Sequence, residues 1–406
     1  MRRAFLSIAG RTVAGLAVAG LAVSVQAKEY GPGVTDKEIK IGNINPYSGP
    51  ASAYGAIGKA IKAYFDKVNA EGGINGRKIN FISLDDGYSP PKTVEQARKL
   101  VEQEEVLAIF QSLGTPTNSA IHKYMNAKKV PQLFVATGAS KWGQPKKFPW
   151  TMGWQPNYQS EAINYANHIL DTKPDAKIAI LYQNDDYGKD YLEGFKKGLG
   201  AKGAKMIVKE LSYEVTDPTI DNQMIAMKAS GANVFFNITT PKFAAQAIKK
   251  AAEIGWKPVH YLTSVSNSVG AVLKPAGFEA SKGVISAFYI KDVTDPQWQQ
   301  GAHKKSYDDW AAWMDKYNSG ADKTNNFNVY GYTVGMNIAY VLKQCGDNLT
   351  RANLMKQAAN MDLELPMLMP GINVKTSPTD FYPVEREQLG KFNGKSWELF
   401  GKVYGK

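Results

Sequence analysis

The 406-residue chain is predicted to be an α/β protein of two doubly wound, Rossmann-like lobes. Three features predict this. A strand–helix–strand unit stands near the start, at residues 39–82. Strands and helices then alternate as far as Thr263. The stretch Phe148 to Tyr158, with Pro149, Gly153 and Pro156 among Trp150, Trp154 and Tyr158, interrupts the alternation and lets it restart. Two short strands around a helix need a crossover, and crossovers build parallel sheets. Ligands of such sheets sit beyond the carboxyl ends of the strands.

Taken in order, Lys28 to Asp36 is polar and reads as a loose lead-in. Ile39, Ile41 and Ile44 mark a strand, and the loop Asn45 to Tyr54 follows it. Ala56, Ala60, Ala63, Tyr64 and Val68 repeat at helical spacing within Ala51 to Asn69. A Gly-rich turn leads into the strand Lys78 to Ile82. Pro91 to Glu105 is a predicted helix, Val106 to Phe110 a buried strand, Ser119 to Lys128 a helix and Gln132 to Ala136 a strand. After the crossover, helices are predicted at 159–170, 189–199, 220–229 and 243–254. Strands are predicted at 177–182, 206–211, 234–238 and 259–263. Val284 to Ile290 is expected to return as a strand toward the first lobe. Long helices follow at 303–317 and 329–344, and a shorter one at 351–359. Residues 371–374, 389–392 and 397–403 read as strands, with Asn393-Gly394 as a hairpin turn. The expected division is 28–154 with 286–364 for the first lobe and 155–285 with 365–406 for the second, joined by several crossings.

Composition narrows the function. Met1-Arg2-Arg3, the apolar run Thr12 to Val25 and the ending Val25-Gln26-Ala27 describe a cleavable export signal over residues 1–27. Arg2-Arg3-Ala4-Phe5-Leu6 keeps a twin-arginine route open. The formal charge is +12; Arg2, Arg3 and Arg11 supply three of it, leaving +9 for the mature chain. Its lysines are scattered, as on a solvated surface, and nucleic acid is not an expected partner. Cys345 is the single cysteine. It allows no intramolecular disulfide and no Cys-based zinc site, and no cysteine stands ready for lipid attachment behind the signal. A soluble, monomeric, periplasmic protein is expected.

Catalytic and cofactor signatures are absent from the reading. His122, His168, His260 and His303 are not spaced as metal ligands on one helix. Gly138-Ala139-Ser140-Lys141-Trp142 lacks the last glycine of a nucleophile elbow, and Gly390 to Ser396 is one residue short of a phosphate loop. Asp85-Asp86 and Asp185-Asp186 read as surface loops. Gly114-Thr115-Pro116-Thr117 and Gly138-Ala139-Ser140 both follow buried strands, so they share one rim of a sheet. Backbone N–H groups at a helix start with nearby hydroxyls suit an anion, although helix capping would select the same residue types.

The order Ser48-Gly49-Pro50, amphipathic helix, Asn69-Ala70-Glu71-Gly72-Gly73-Ile74-Asn75-Gly76-Arg77 resembles the branched-chain amino-acid type of periplasmic binding protein. These are soluble receptors of bacterial ABC-type uptake permeases with a two-lobed type I fold, and the resemblance runs through most of the mature chain. It implies a ligand carboxylate held by Thr115, with Gly114 or Thr117 as alternatives, and by Gly138, Ala139 and Ser140. It also implies that Tyr54 lines the pocket, and that Tyr187 and Thr239 or Thr240 contribute from the second lobe. The family's amino-acid binders hold the ammonium with a glutamate where this chain runs Thr263-Ser264-Val265-Ser266, without an acid. The family's disulfide near the first loops is missing too. The ligand expected at a site that includes Ser264 is therefore an organic carboxylate without an α-amino group, an aromatic acid by preference, with Trp154 as a further ring. The alternative is a branched-chain or other amino acid or amide whose ammonium is met by Asp85 or Asp185. A secreted α/β hydrolase, the alternative of another class, lacks a nucleophile–base–acid set.

Overall fold

The computed structural model describes residues 28–405. Two sheets carry the fold. The first has five parallel strands in the order Lys78–Asp85, Glu38–Asn45, Ala108–Phe110, Gln132–Val135 and Thr151–Gly153. The second has seven, in the order Trp397–Tyr404, Glu387–Phe392, Ile285–Phe288, Val259–Leu262, Val234–Ile238, Ile178–Gln183 and Ile207–Tyr213. Its last five are parallel, and the C-terminal hairpin adds two antiparallel strands at the edge. The central strands are mostly apolar and almost wholly buried, as expected of parallel strands with helices on both faces. The mixed α/β architecture of two doubly wound lobes is the one the alternation predicted.

Four elements differ from expectation, the smallest difference being the predicted strand 371–374, in whose place only Val374–Lys375 forms, paired with Asp362–Leu363. Ile285–Phe288 does not return to the first lobe: it pairs with Val259–Leu262 and with the hairpin strand Glu387–Phe392. Its four residues are all buried, and a site between two strands buries them on both edges. Thr151–Gly153, within the expected crossover, is the edge strand of the first sheet. The lead-in is anchored, because Glu29–Tyr30 pairs with Asn348–Leu349. Arg77 secures it: the residue is 2% exposed and its guanidinium donates to the Tyr30 hydroxyl and the Asp347 carboxylate, both at 2.6 Å. A buried cation held this way cannot be left unpaired without a large penalty.

The helix Phe327–Gln344 is buried over most of its length and lies on Gly55–Ala70. At Gly331 a Cβ would come within 2.6 Å of Ala60 Cβ, and at Gly335 within 2.8 Å of the Tyr64 ring, so glycine permits the close approach. The hairpin turn forms where Asn393-Gly394 predicts it, with Asn393 Oδ1 accepting from the N–H groups of Lys395 and Ser396. The chain crosses between the sheets at 154–157, 289–303 and 364–386, and the last two run together through the antiparallel bridge Ile290 to Leu368. The expected signal segment, residues 1–27, lies outside the described residues.

Candidate functional site

A cavity lies between the two sheets, at the carboxyl ends of their parallel strands. The first lobe supplies Tyr54, Ile57, Tyr88, Leu113, Gly114, Thr115 and Ala136. The second supplies Tyr158, Tyr187, Thr240, Ser264, Val265, Asn267, Ala287 and Phe288. The crossings and the start of the long helix add Gln155, Tyr289, Ile290, Asn326, Phe327 and Tyr330. None of the described residues lining it is Asp, Glu, Lys or Arg.

Six helices begin at this wall. Tyr54 and Thr240 are the N-caps of Gly55–Ala70 and Pro241–Glu253; Thr115, Tyr158 and Phe327 open Thr115–Ala127, Tyr158–Thr172 and Phe327–Gln344; Tyr187 is second in Asp186–Gly203. Each N-terminus carries a partial positive charge. For five of the six the convergence follows from topology, since a helix that follows a parallel strand starts at that strand's carboxyl end; Phe327–Gln344 instead follows another helix.

Six tyrosines form most of the polar wall. The Tyr54 hydroxyl donates across the cleft to the Val265 carbonyl (3.1 Å), and its ring stands 5.1 Å from Phe327. The Tyr187 hydroxyl meets the Thr239 carbonyl and Thr263 Oγ1. Gln155 links two others, accepting from Tyr330 and donating to the Tyr158 hydroxyl. Burial pushes the hydroxyls of Tyr54, Tyr88, Tyr158, Tyr187, Tyr289 and Tyr330 up, so all six are neutral hydrogen-bonding groups at physiological pH.

Of the residues singled out in the sequence, Tyr54, Gly114, Thr115, Tyr187 and Ser264 line the cavity. Gly114 has φ +99°, and there a Cβ would stand 2.5 Å from the Tyr88 ring. The Thr115 hydroxyl is hydrogen-bonded to Thr137 Oγ1 at 2.6 Å, and its N–H, at the helix start, has no acceptor among the described residues. The others lie elsewhere. Thr117 donates to the Leu113 and Gly114 carbonyls, a local cap. Thr239 is buried with its hydroxyl on Asn237 Oδ1, and the alternative Thr240 takes the wall position. Gly138, Ala139 and Ser140 turn away from the cavity: Ser140 gives its N–H and hydroxyl to Asp190 of the second lobe, at 2.8 and 2.7 Å. Trp154 packs behind Tyr289 and Tyr330 rather than lining the space.

Ser264 is on the wall, but both its donors are engaged. Its N–H and hydroxyl go to Glu161, at 2.8 and 2.6 Å. Glu161 is fully buried, and burial raises its carboxyl above the usual range. Neither carboxylate weighed as a partner for an ammonium lines the cavity. Asp85 accepts from the N–H groups of Tyr47, Ser48 and Gly87 and from the Ser48 hydroxyl. Asp185 accepts from the N–H groups of Tyr187 and Gly188 and from Gln183. Asp86, expected on a surface loop, is buried and caps the loop through Tyr88 N–H and the Thr93 hydroxyl.

Asn326 and Tyr330 follow no strand end and had no such signal, whereas Asn267 and Tyr289 stand just beyond the strands Val259–Leu262 and Ile285–Phe288, and Gln155 and Tyr158 belong to the aromatic crossover. Tyr88 had one: it follows a strand on the same rim as Thr115. The histidines are packed. His122 stacks at 3.8 Å on Phe148, and burial, then Lys141 and Lys147, lower it to about 4.

Residues 38–383 match the family model described as a periplasmic binding protein. The Leu/Ile/Val-binding protein homolog 7 of Brucella abortus is 24% identical over 286 residues, 67% of this chain and 69% of that one. A branched-chain amino-acid ABC transporter structure from Thermus thermophilus with bound valine aligns with TM-score 0.80 at 14% identity, covering 92% of this chain and 98% of that one. A solute-binding protein of an ABC transporter from Rhodopseudomonas palustris, in complex with 3,4-dihydroxybenzoic acid, aligns with TM-score 0.75 at 20% identity, over 91% and 98%. With the family model spanning most of its length and two lobes closing on a cavity at the strand ends, the chain belongs to the periplasmic binding protein family.

Proposed function

We propose that this chain is a periplasmic receptor that binds a small organic carboxylate, by preference an aromatic acid without an α-amino group, and presents it to an ABC-type uptake permease. In this reading residues 1–27 are a cleaved export signal, the mature protein is a monomer, and it returns its ligand unchanged rather than acting as an enzyme. The ligand sits in the cavity against Tyr54, Gly114, Thr115, Tyr187 and Thr240.

The observation that carries the reading is the pairing of six helix N-termini with a wall that has no charged side chain. Converging N-termini stabilise an anion without a full counter-charge. They act against a cation, and a buried ammonium here would have no carboxylate within the wall. The Thr115 N–H and hydroxyl are the donors best placed for the carboxylate, and the tyrosine rings offer flat apolar faces to the body of the ligand. The dihydroxybenzoate-bound relative supports an aromatic acid, whereas the valine-bound relative keeps the amino-acid alternative in view.

Calorimetry of the mature protein with benzoate, cinnamate and leucine tests the proposal. Binding of an aromatic acid with leucine silent is expected. A ligand at about a hundred times its Kd should also add roughly 2.7 kcal/mol of stability. Tight binding of leucine with every aromatic acid silent would refute the ligand assignment.

A further inference from the structure

Asn326 is 4% exposed, forms part of the cavity wall next to Phe327, and its Oδ1 has no hydrogen-bond partner among the described residues. The orientation of its amide is determined by a short relay. Asn267 Nδ2 donates to the Ala287 carbonyl at 3.0 Å and to the Ser286 hydroxyl at 3.2 Å. A backbone carbonyl can only accept, so the NH2 of Asn267 must point there and its Oδ1 must point the other way. That oxygen accepts from Asn326 Nδ2 at 2.8 Å. Turning the Asn326 amide over would set two oxygens against each other. Asn326 Oδ1 is therefore held as an acceptor, and a buried acceptor left unpaired is costly.

We propose that Asn326 Oδ1 accepts a hydrogen bond from the bound ligand, so that the receptor selects aromatic acids that carry a ring hydroxyl over acids that carry none. The inference rests on the aromatic-acid reading of the cavity and adds a specificity-determining residue to it. The wall then divides its chemistry: donors at Thr115 for the carboxylate, and a fixed acceptor at Asn326 for a neutral donor on the ligand. Phe327, the next residue along the chain and also on the wall, forms a tilted ring pair with Tyr54, which suits a ligand that carries a ring.

The test is calorimetry of the mature protein with benzoate and the three monohydroxybenzoates. At least one hydroxybenzoate should bind roughly 10- to 100-fold more tightly than benzoate, because a hydroxyl at the right ring position pairs Asn326 Oδ1 and benzoate has none to offer. In Asn326→Leu that preference should fall to near unity. In Asn326→Ala, which removes the acceptor without adding bulk, the preference should fall in the same way. Equal binding of benzoate and every hydroxybenzoate by the unaltered protein would overturn the role of Asn326 and leave the aromatic-acid reading standing. Retention of the preference in Asn326→Leu would do the same. Tight leucine binding with every acid silent would overturn both.

Discussion

The loops Gly114–Thr117 and Gly138–Ser140 carry the same kinds of residue at the ends of adjacent strands, yet only the first reaches the cavity. Thr115 keeps an unpaired N–H on the wall, whereas Ser140 gives its N–H and hydroxyl to Asp190 across the lobes. Ser264 in the second lobe resembles Ser140, since Glu161 takes both of its donors. Small-hydroxyl loops thus supply hydrogen-bonding capacity, and nearby carboxylates decide how much of it remains for a ligand. At Ser140 and Ser264 the same donors that could hold a carboxylate ligand hold a carboxylate of the protein instead.

The largest effect that would sharpen this contrast is expected at Gly114. Gly114→Ala places a Cβ 2.5 Å from the Tyr88 ring at a positive φ. It should cost about 3 kcal/mol in urea unfolding, combining backbone strain with overpacking. Ligand affinity should fall with it, since Tyr88 is also on the wall; an unchanged unfolding midpoint would show that the loop relaxes freely. Next comes Thr115→Val, which removes a hydroxyl but keeps the shape. It should weaken the bound acid by about 2 kcal/mol, because the acceptor is charged. An unchanged Kd would take Thr115 out of the site.

Ser140→Ala should do the reverse. Losing the hydroxyl bond to Asp190 should cost about 1 kcal/mol of stability, while ligand affinity moves by less than about 0.5 kcal/mol. A loss of affinity as large as that of Thr115→Val would break the comparison and return Ser140 to the binding site. The smallest effect is expected from Glu387→Gln. Burial, then the charge of Glu161, hold the Glu387 carboxyl well above the usual carboxylate range, and its Oε2 has no partner among the described residues. A carboxyl raised in the folded state binds more protons there than in the unfolded chain. Stability is therefore lost as pH rises from the unfolded carboxylate range, about 4.5, through the folded value. Glu387→Gln should flatten that decline in a melting-temperature series across pH and leave ligand affinity unchanged. A series that superimposes on the unaltered protein would show that Glu387 does not titrate in this window.

Much of the fold could be read from the chain because its signals are local. Helical spacing in 56–68, the strand at 39–44 and the Asn393-Gly394 turn each depend on residues near in sequence, and each forms where expected. A strand-end loop pointed to Thr115 for the same reason, since a parallel sheet places its loops on one rim, while Tyr187 came from the family resemblance. The family resemblance, carried by the loop, helix and turn of residues 48–77, was legible in the same way, and the match over residues 38–383 agrees with it.

What the tertiary structure decided depends on contacts between segments far apart in sequence. Ile285–Phe288 joins the second sheet because two strands, one of them about a hundred residues later, are waiting on either edge. Asp190 meets Ser140 only because the lobes approach each other. Asn326, on the cavity wall, is fixed as an acceptor only through the relay from the Ala287 carbonyl through Asn267. A residue's donors and acceptors are written in its chemistry, but which of them stay free is set by the partners that folding brings within hydrogen-bond distance.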